Sequence, residues 1–375
     1  MAREEFRALD ERVYIDVASR APMADRVAVA VEGYLEVCRL RGADKEHWYE
    51  RAESIRGTLA HLLGAGTDEI AFTKNTSDGL NTLALALDLK AGDNVVLCPE
   101  FEHANNVYPW LNLRRHGIEV RSVAPRAGDV DLDSVRLAID ERTRVVTLSS
   151  VSSMTGGRPD LAAVAELCRP RGIFVLVDAA QSLGIVDTDL ESIGIDGLVG
   201  ATQKGLLSMY GLGVLYCRRA WLDRLEPPFL SVPSIVREGL HESDLGDITD
   251  YRVRDSAARF ETGNYNFAGL FALEAALTFY DDFSPSSVEA HVGALATRLI
   301  DGLDALGLPV ITPRQESRRA GIVVTEPPEV AELARHLTAE GIQVAVRRGR
   351  LRASFHLYNN DDDVDRLLDG IAGAA

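Results

Sequence analysis

Short apolar runs alternate with helical periods from about residue 50 to residue 220. EIAFTK (69–74), DNVVLCP (93–99), IEVRSVA (118–124), VVTLSS (145–150), IFVLVDAA (173–180) and GVLYCR (213–218) are nearly continuous in apolar and β-branched residues and read as strands. Between them, IRGTLAHLLGA (55–65) reads as a helix closed by glycine, and 78–88 carries Leu80, Leu83, Leu85 and Leu87 at helical positions. Further helices are expected over 132–139 and 160–169. Strands without in–out alternation, interleaved with helices, predict an α/β fold whose largely parallel sheet is covered on both faces.

The texture changes after residue 218. Residues 226–258 hold PPFLSVPS and the acidic HESDLGDITD, a stretch without periodicity that reads as a loop excursion, with His241 and Asp244 as candidates for an entrance. A long helix is expected to start near Phe267 and lead into a smaller α+β unit. There, strands near 319–325, 342–346 and 351–354 alternate with helices near 328–340 and 361–372. At roughly 150 residues per domain, 375 residues make two domains. We expect a large one over 15–275 and a small one from 1–14 and 276–375.

Charge narrows the partners. Lys and Arg number 40 against 57 Asp and Glu, a formal net charge of −17, which argues against nucleic acid and against anionic membrane. No apolar run reaches the ~18 residues of a membrane helix, and the charged N-terminus lacks a signal-peptide core. Cys38, Cys98, Cys168 and Cys217 are widely spaced with no CxxC pair, so thiols in a reducing compartment are expected, with no metal site. The expected location is the cytoplasm.

Five segments carry chemistry. Asp178 ends an apolar strand and Gln181 follows three residues later, where open α/β sheets bind ligands. Alone, Asp178 could cap a helix, ligate a metal or face a cationic ring nitrogen. Lys204 shifts that balance, because its neighbours in ATQKGLLSMYGLG are small or apolar and would desolvate the amine. Desolvation disfavours the ammonium and makes the lysine a nucleophile for an aldehyde. A Schiff-base lysine with an aspartate on a pyridinium nitrogen is what proteins contribute to pyridoxal phosphate chemistry. Asn75, Thr76 and Ser77 open a helix after a strand and supply a phosphate site, or simply an N-cap. His103 follows a strand end and could lie on a planar ring or carry a proton; it has the best address of eight histidines, ahead of His47 and His356. Arg347, Arg348, Arg350 and Arg352 form a basic island, and alternation puts Arg352 on the face opposite Leu351 and Ala353. A guanidinium there could grip a carboxylate in two parallel hydrogen bonds.

Six ordered segments resemble the class V branch of the fold-type I aminotransferase superfamily, which includes cysteine desulfurases, selenocysteine lyases and isopenicillin N epimerase-like enzymes. They are NTSDGLN (75–81), FEHANNVYPW (101–110), VDAAQ (177–181), TQKG (202–205), RFETGNYN (259–266) and LRASFHLYN (351–359). The resemblance implies a seven-stranded, mainly parallel sheet in the large domain and pyridoxal 5'-phosphate as cofactor. It implies that Lys204 carries the Schiff base and shuttles the Cα proton, that Asp178 bonds the ring nitrogen, and that Gln181 contacts the ring hydroxyl. His103 would stack over the ring, while Thr76, Ser77 and Gln203 would hold the phosphate. Arg352 would bind the substrate carboxylate. Members are usually homodimers with shared active sites, where Asn264 would reach the partner's phosphate.

Departures from the family pattern shape the expected reaction. Desulfurases carry a mobile cysteine just before the substrate arginine, and 341–354 has none. Gln203 stands where desulfurases tend to have histidine, and a glutamine there is similar to the small-amino-acid–glyoxylate aminotransferases; Ser153 stands where desulfurases have asparagine and Asn264 where many relatives have threonine. The leading expectation is β-elimination at the C–S bond of a cysteine-type or S-substituted amino acid, through an external aldimine, in specialised metabolism and not as a housekeeping desulfurase. Aminotransfer to a keto acid, and epimerisation or decarboxylation, are the alternatives.

Overall fold

A computed structural model describes residues 2–236 and 251–374, so His241 and Asp244 lie outside the described residues. Across its central sheet the strands run in the order Ile70–Thr73, Gly213–Cys217, Gly197–Ala201, Phe174–Asp178, Thr143–Ser149, Asn94–Leu97 and Glu119–Ser122. Gly213–Cys217 is antiparallel to both neighbours, and every other pair is parallel. Six of these strands match the apolar runs of the sequence. The seventh, Gly197–Ala201, hides in DGLVGA, where two glycines dilute the hydrophobic signal although all five residues are buried.

Parallel order has a direct consequence for the site. Ser149 pairs with Asp178, and Ala201 pairs with Gly213, so the ends of four neighbouring strands meet at one edge. Thr73 pairs with Gly213 and brings the start of the next helix to the same edge. That helix, Thr76–Ala86, packs so closely on the sheet that a Cβ at Gly79 would sit 2.7 Å from Val199 Cγ1.

Three antiparallel strands, Ala345–Arg347, Arg350–Ser354 and Ile322–Thr325, form a second sheet in that order. Helices Pro285–Ala305, Val330–Ala339 and Asp361–Gly373 accompany it. Val13–Tyr14 pairs with Ile342–Gln343, and Phe6, Val13 and Ile15 share one buried cluster with Leu299, Phe355 and Val364. Among the described residues no helix is long and apolar enough to cross a membrane.

Several elements differ from expectation. Helix Lys45–Leu62 begins ten residues before the 55–65 pattern, and Asp25–Arg41 was not foreseen. Only Val27 is buried on Asp25–Arg41 while Val29, Leu35 and Leu40 are exposed, so no apolar stripe marks it. The helix from Phe267 ends at Leu277, with a separate turn over Phe279–Asp282.

A buried ion pair anchors the edge strand that leads into the site. Arg56 Nη1 lies 2.7 Å from Glu261 Oε1, Phe72 N donates to that oxygen at 2.8 Å, and Arg56 Nη1 also donates to Ile70 O at 2.9 Å. Removing one partner of such a pair leaves an uncompensated charge. Glu261→Ala is therefore expected to cost about 3–5 kcal/mol in equilibrium urea unfolding. A loss below about 1 kcal/mol would show that the pair does not hold the strand.

Candidate active site

Lys204 sits in the turn between Gly197–Ala201 and Gly213–Cys217. Thr202 stitches that turn shut: its hydroxyl donates toward Met209 O at 3.1 Å and Leu212 O at 3.0 Å, and its carbonyl accepts from Ser208 N at 2.9 Å. Burial lowers the lysine amine to about 8, with Asp178 opposing that shift. Asp178 ends its strand 4% exposed, and Oδ1 accepts from Ala180 N at 2.9 Å. Burial raises its carboxyl, and the Lys204 charge pulls it back.

These two residues line one cavity of about 270 Å³ with Thr76, Ser77, His103, Gln181 and Gln203. Seven of the nine residues singled out from the sequence thus meet in one place. Two larger depressions elsewhere, of about 750 and 650 Å³, contain none of the seven. Asn75 caps the helix behind Thr76 and Ser77, accepting from Asp78 N at 2.9 Å, which leaves the first-turn N–H groups toward the cavity edge.

His103 Nδ1 accepts from Asn105 N at 3.2 Å, so a neutral ring carries its proton on Nε2. Burial lowers its pKa and the Lys204 charge adds to the effect, which keeps the imidazole neutral. Directly before it lies a carboxyl that sequence reasoning missed. Glu102 accepts from Ser149 N at 2.7 Å, Ser149 Oγ at 2.6 Å and Asn106 Nδ2 at 2.8 Å, and burial pushes it up to about 7. It ties the His103 segment to the strand beside Asp178.

The remaining two residues stand apart from that cavity. Arg352 is buried, as are Leu351 and Ala353 on the opposite face, because the strand is covered on both sides. Arg352 Nη2 donates to Asp16 Oδ1 at 3.1 Å and to Ser19 Oγ at 2.8 Å, and Nη1 donates to Ser153 O at 3.3 Å. Asp16 and Ser19 had no sequence signal, since their partner lies more than 330 positions away. Asn264 is exposed, accepts from Tyr49 OH at 2.9 Å, and does not line its own chain's cavity.

Unpartnered buried atoms test whether pyridoxal phosphate fits. Gln181 Oε1, Ser153 Oγ and Arg352 Nε make no hydrogen bond among the described residues. Gln181 and Ser153 both line the cavity, with hydroxyl-bearing Thr76 and Ser77 at a helix N-terminus and the buried Asp178 carboxyl. Buried polar atoms are rarely left unpaired, and the two in the cavity, beside a helix N-terminus, are compatible with a polar ligand that has an anionic end. The residues suit the group.

Comparisons with known proteins give the family. The sequence model of the family described as Aminotransferase class-V matches residues 13–367. An uncharacterised protein of Schizosaccharomyces pombe is 32% identical over 95% of this chain and 82% of its own. A probable cysteine desulfurase of Methanothermobacter thermautotrophicus is 31% identical over 99% of this chain and 97% of its own. The apo structure of cysteine desulfurase from Thermococcus onnurineus NA1 superposes with a TM-score of 0.88 at 26% identity, covering 98% and 96% of the two chains.

The lowered amine makes a pH-dependent prediction. Only neutral Lys204 attacks an aldehyde, so apo-protein should combine with pyridoxal phosphate about tenfold faster per pH unit up to about 8, then level off. Stopped-flow absorbance in the visible range measures this. A rise that continues unbroken to pH ~10 would mean an ordinary exposed lysine.

Proposed function

The chain belongs to the class V aminotransferase family, of the fold-type I pyridoxal-phosphate enzymes, and from that premise we propose that it is a C–S lyase acting on cysteine-type or S-substituted amino acids. Pyridoxal 5'-phosphate, when bound, supplies the electron-withdrawing ring that accepts the Cα electron pair. Thr76, Ser77 and Gln203 hold the phosphate, Asp178 holds the ring nitrogen, Gln181 and Ser153 take the ring and substrate polar atoms, and His103 covers the ring. Arg352 binds the substrate carboxylate through its unpartnered Nε. Lys204 takes the Cα proton; the Cβ–S bond then breaks, sulfur leaves as a thiol with a proton, and water converts the released enamine to pyruvate and ammonium.

One observation carries the choice of elimination over sulfur transfer to the protein. Ala345–Arg347 and Arg350–Ser354 are joined by Arg348 and Gly349 alone, both at positive φ (49° and 77°), the two-residue turn of a tight hairpin. No mobile loop fits there. Cys98, Cys168 and Cys217 are buried, and burial raises all three thiols, to about 12 for Cys98 and Cys168. Cys38 sits on helix Asp25–Arg41, and no cysteine lines the cavity. A thiol held protonated is a poor sulfur acceptor.

Asn264, exposed and outside its own cavity, supports a homodimer in which it faces the partner's phosphate; sedimentation as a monomer would remove that part of the proposal.

Two measurements test the reading. S-alkyl cysteines should give pyruvate and thiol in equal amounts without a keto acid, at a rate that a variant lacking all four cysteines retains within about twofold. With L-cysteine as substrate, alanine as product with persulfide on a protein cysteine would overturn elimination, and accumulation of the amine form of the cofactor, relieved by a keto acid, would replace it with aminotransfer. Arg352→Gln should raise KM about 30- to 100-fold with a smaller effect on kcat, since a charge-assisted carboxylate contact is lost. An unchanged KM would assign Arg352 to structural pairing with Asp16.

A further inference from the structure

His356 takes no part in the scheme above, yet it reaches the residue next to the lysine. Its ring is fully buried. Nδ1 accepts from Leu357 N at 2.7 Å, which leaves the proton on Nε2, 2.8 Å from the carbonyl oxygen of Gly205. Tyr280 OH approaches the same oxygen at 2.6 Å and Gly184 O at 2.9 Å. Gly205 itself has no slack: a Cβ there would lie 2.2 Å from Leu183 O. The Gly205–Leu206 peptide, one residue beyond Lys204, is therefore held by two side-chain donors at its carbonyl, with Gly205 wedged against a third segment.

His356 is in turn fixed from its own side. Its N–H donates to Asn359 Oδ1 at 3.0 Å, and Asn359 Nδ2 donates to Tyr14 O at 2.9 Å. Tyr358 stacks on the ring at 5.7 Å with an 11° angle between planes. Four residues earlier stands Arg352, and between the two, Ser354 N donates to Ile15 O at 3.0 Å while Ser354 Oγ accepts from Ala18 N at 2.9 Å. A simple core histidine needs a partner for its N–H, but any buried carbonyl would serve. Here the partner belongs to the lysine turn, and a second donor converges on it.

We propose that His356 is a positioning residue that fixes Lys204 through the Gly205 carbonyl, with Tyr280 as the second arm. Segment 352–356 then sets the separation between the carboxylate-binding guanidinium and the lysine amine. This rests on Lys204 as the Schiff-base lysine. The gain is geometric, because small displacements of a reacting group cost about 100-fold in rate.

His356→Leu, His356→Gln and Tyr280→Phe separate positioning from packing, each read by kcat and KM on an S-alkyl cysteine, by the rate of borohydride-trapped pyridoxal phosphate, and by thermal melts of the apo-protein. His356→Leu should lower kcat and the trapping rate about 30- to 100-fold with KM within about threefold. His356→Gln keeps an N–H donor of similar reach and should recover to within about fivefold of the original. Tyr280→Phe should lose about fivefold in both rates. Equal rates for the Leu and Gln variants would overturn the proposal. If His356→Leu does not fold, unchanged trapping in Tyr280→Phe overturns it alone. Failure of the unsubstituted protein to trap cofactor at all would instead overturn the role given to Lys204.

Discussion

A lysine amine and an aspartate carboxyl, both withdrawn from water at one sheet edge, set the terms for the rest of the site. Burial pushes the amine of Lys204 down and the carboxyl of Asp178 up, and each opposes the shift of the other. Such a pair is costly to assemble, so the surrounding elements have to hold it against relaxation. Parallel strands do this by bringing their ends to one edge, where Ser149, Asp178 and Val199 stand side by side. The buried Glu102, which burial pushes up to about 7, adds a second carboxyl, bonded to Ser149 on the strand next to Asp178.

The N-terminal segment is the second holding element. Asp16 and Ser19 bond Arg352, Ala18 O accepts from Gln181 Nε2 at 3.0 Å, and Ala21 N donates to Gln203 O at 3.0 Å. Within six residues it touches three candidate site residues from three distant parts of the chain. It also pairs with Ile342–Gln343, so the same stretch joins the small sheet's region to the cavity. The Asp16 carboxylate beside Arg352 lowers the cost of keeping that guanidinium buried.

What the sequence made legible follows from where the signals lie. Asp178 ends a strand and Thr76, Ser77, His103, Gln181, Gln203 and Lys204 follow strand ends, and a parallel sheet gathers strand ends by construction, so local punctuation was enough to collect them. Arg352 was visible as a carboxylate-binding candidate on an alternating strand, but its pairing with Asp16 and Ser19 was not. The Asp16 and Ser19 contacts and the His356–Gly205 bond join residues 151 to 336 positions apart, and no periodicity encodes such a pairing. Gly197–Ala201 and Asp25–Arg41 were missed for opposite reasons: one is buried but rich in glycine, the other helical but scarcely buried.

The two-residue turn at Arg348 and Gly349 bears on custody of the product. A long loop at that position could swing a thiol into the cavity and carry sulfur away covalently, handing it on only when another protein docks. A tight hairpin cannot leave its place. On the proposed reading, whatever leaves Cβ is released to diffusion at once. Turnover then depends on no acceptor protein, and the released thiol is open to any small-molecule reaction within reach.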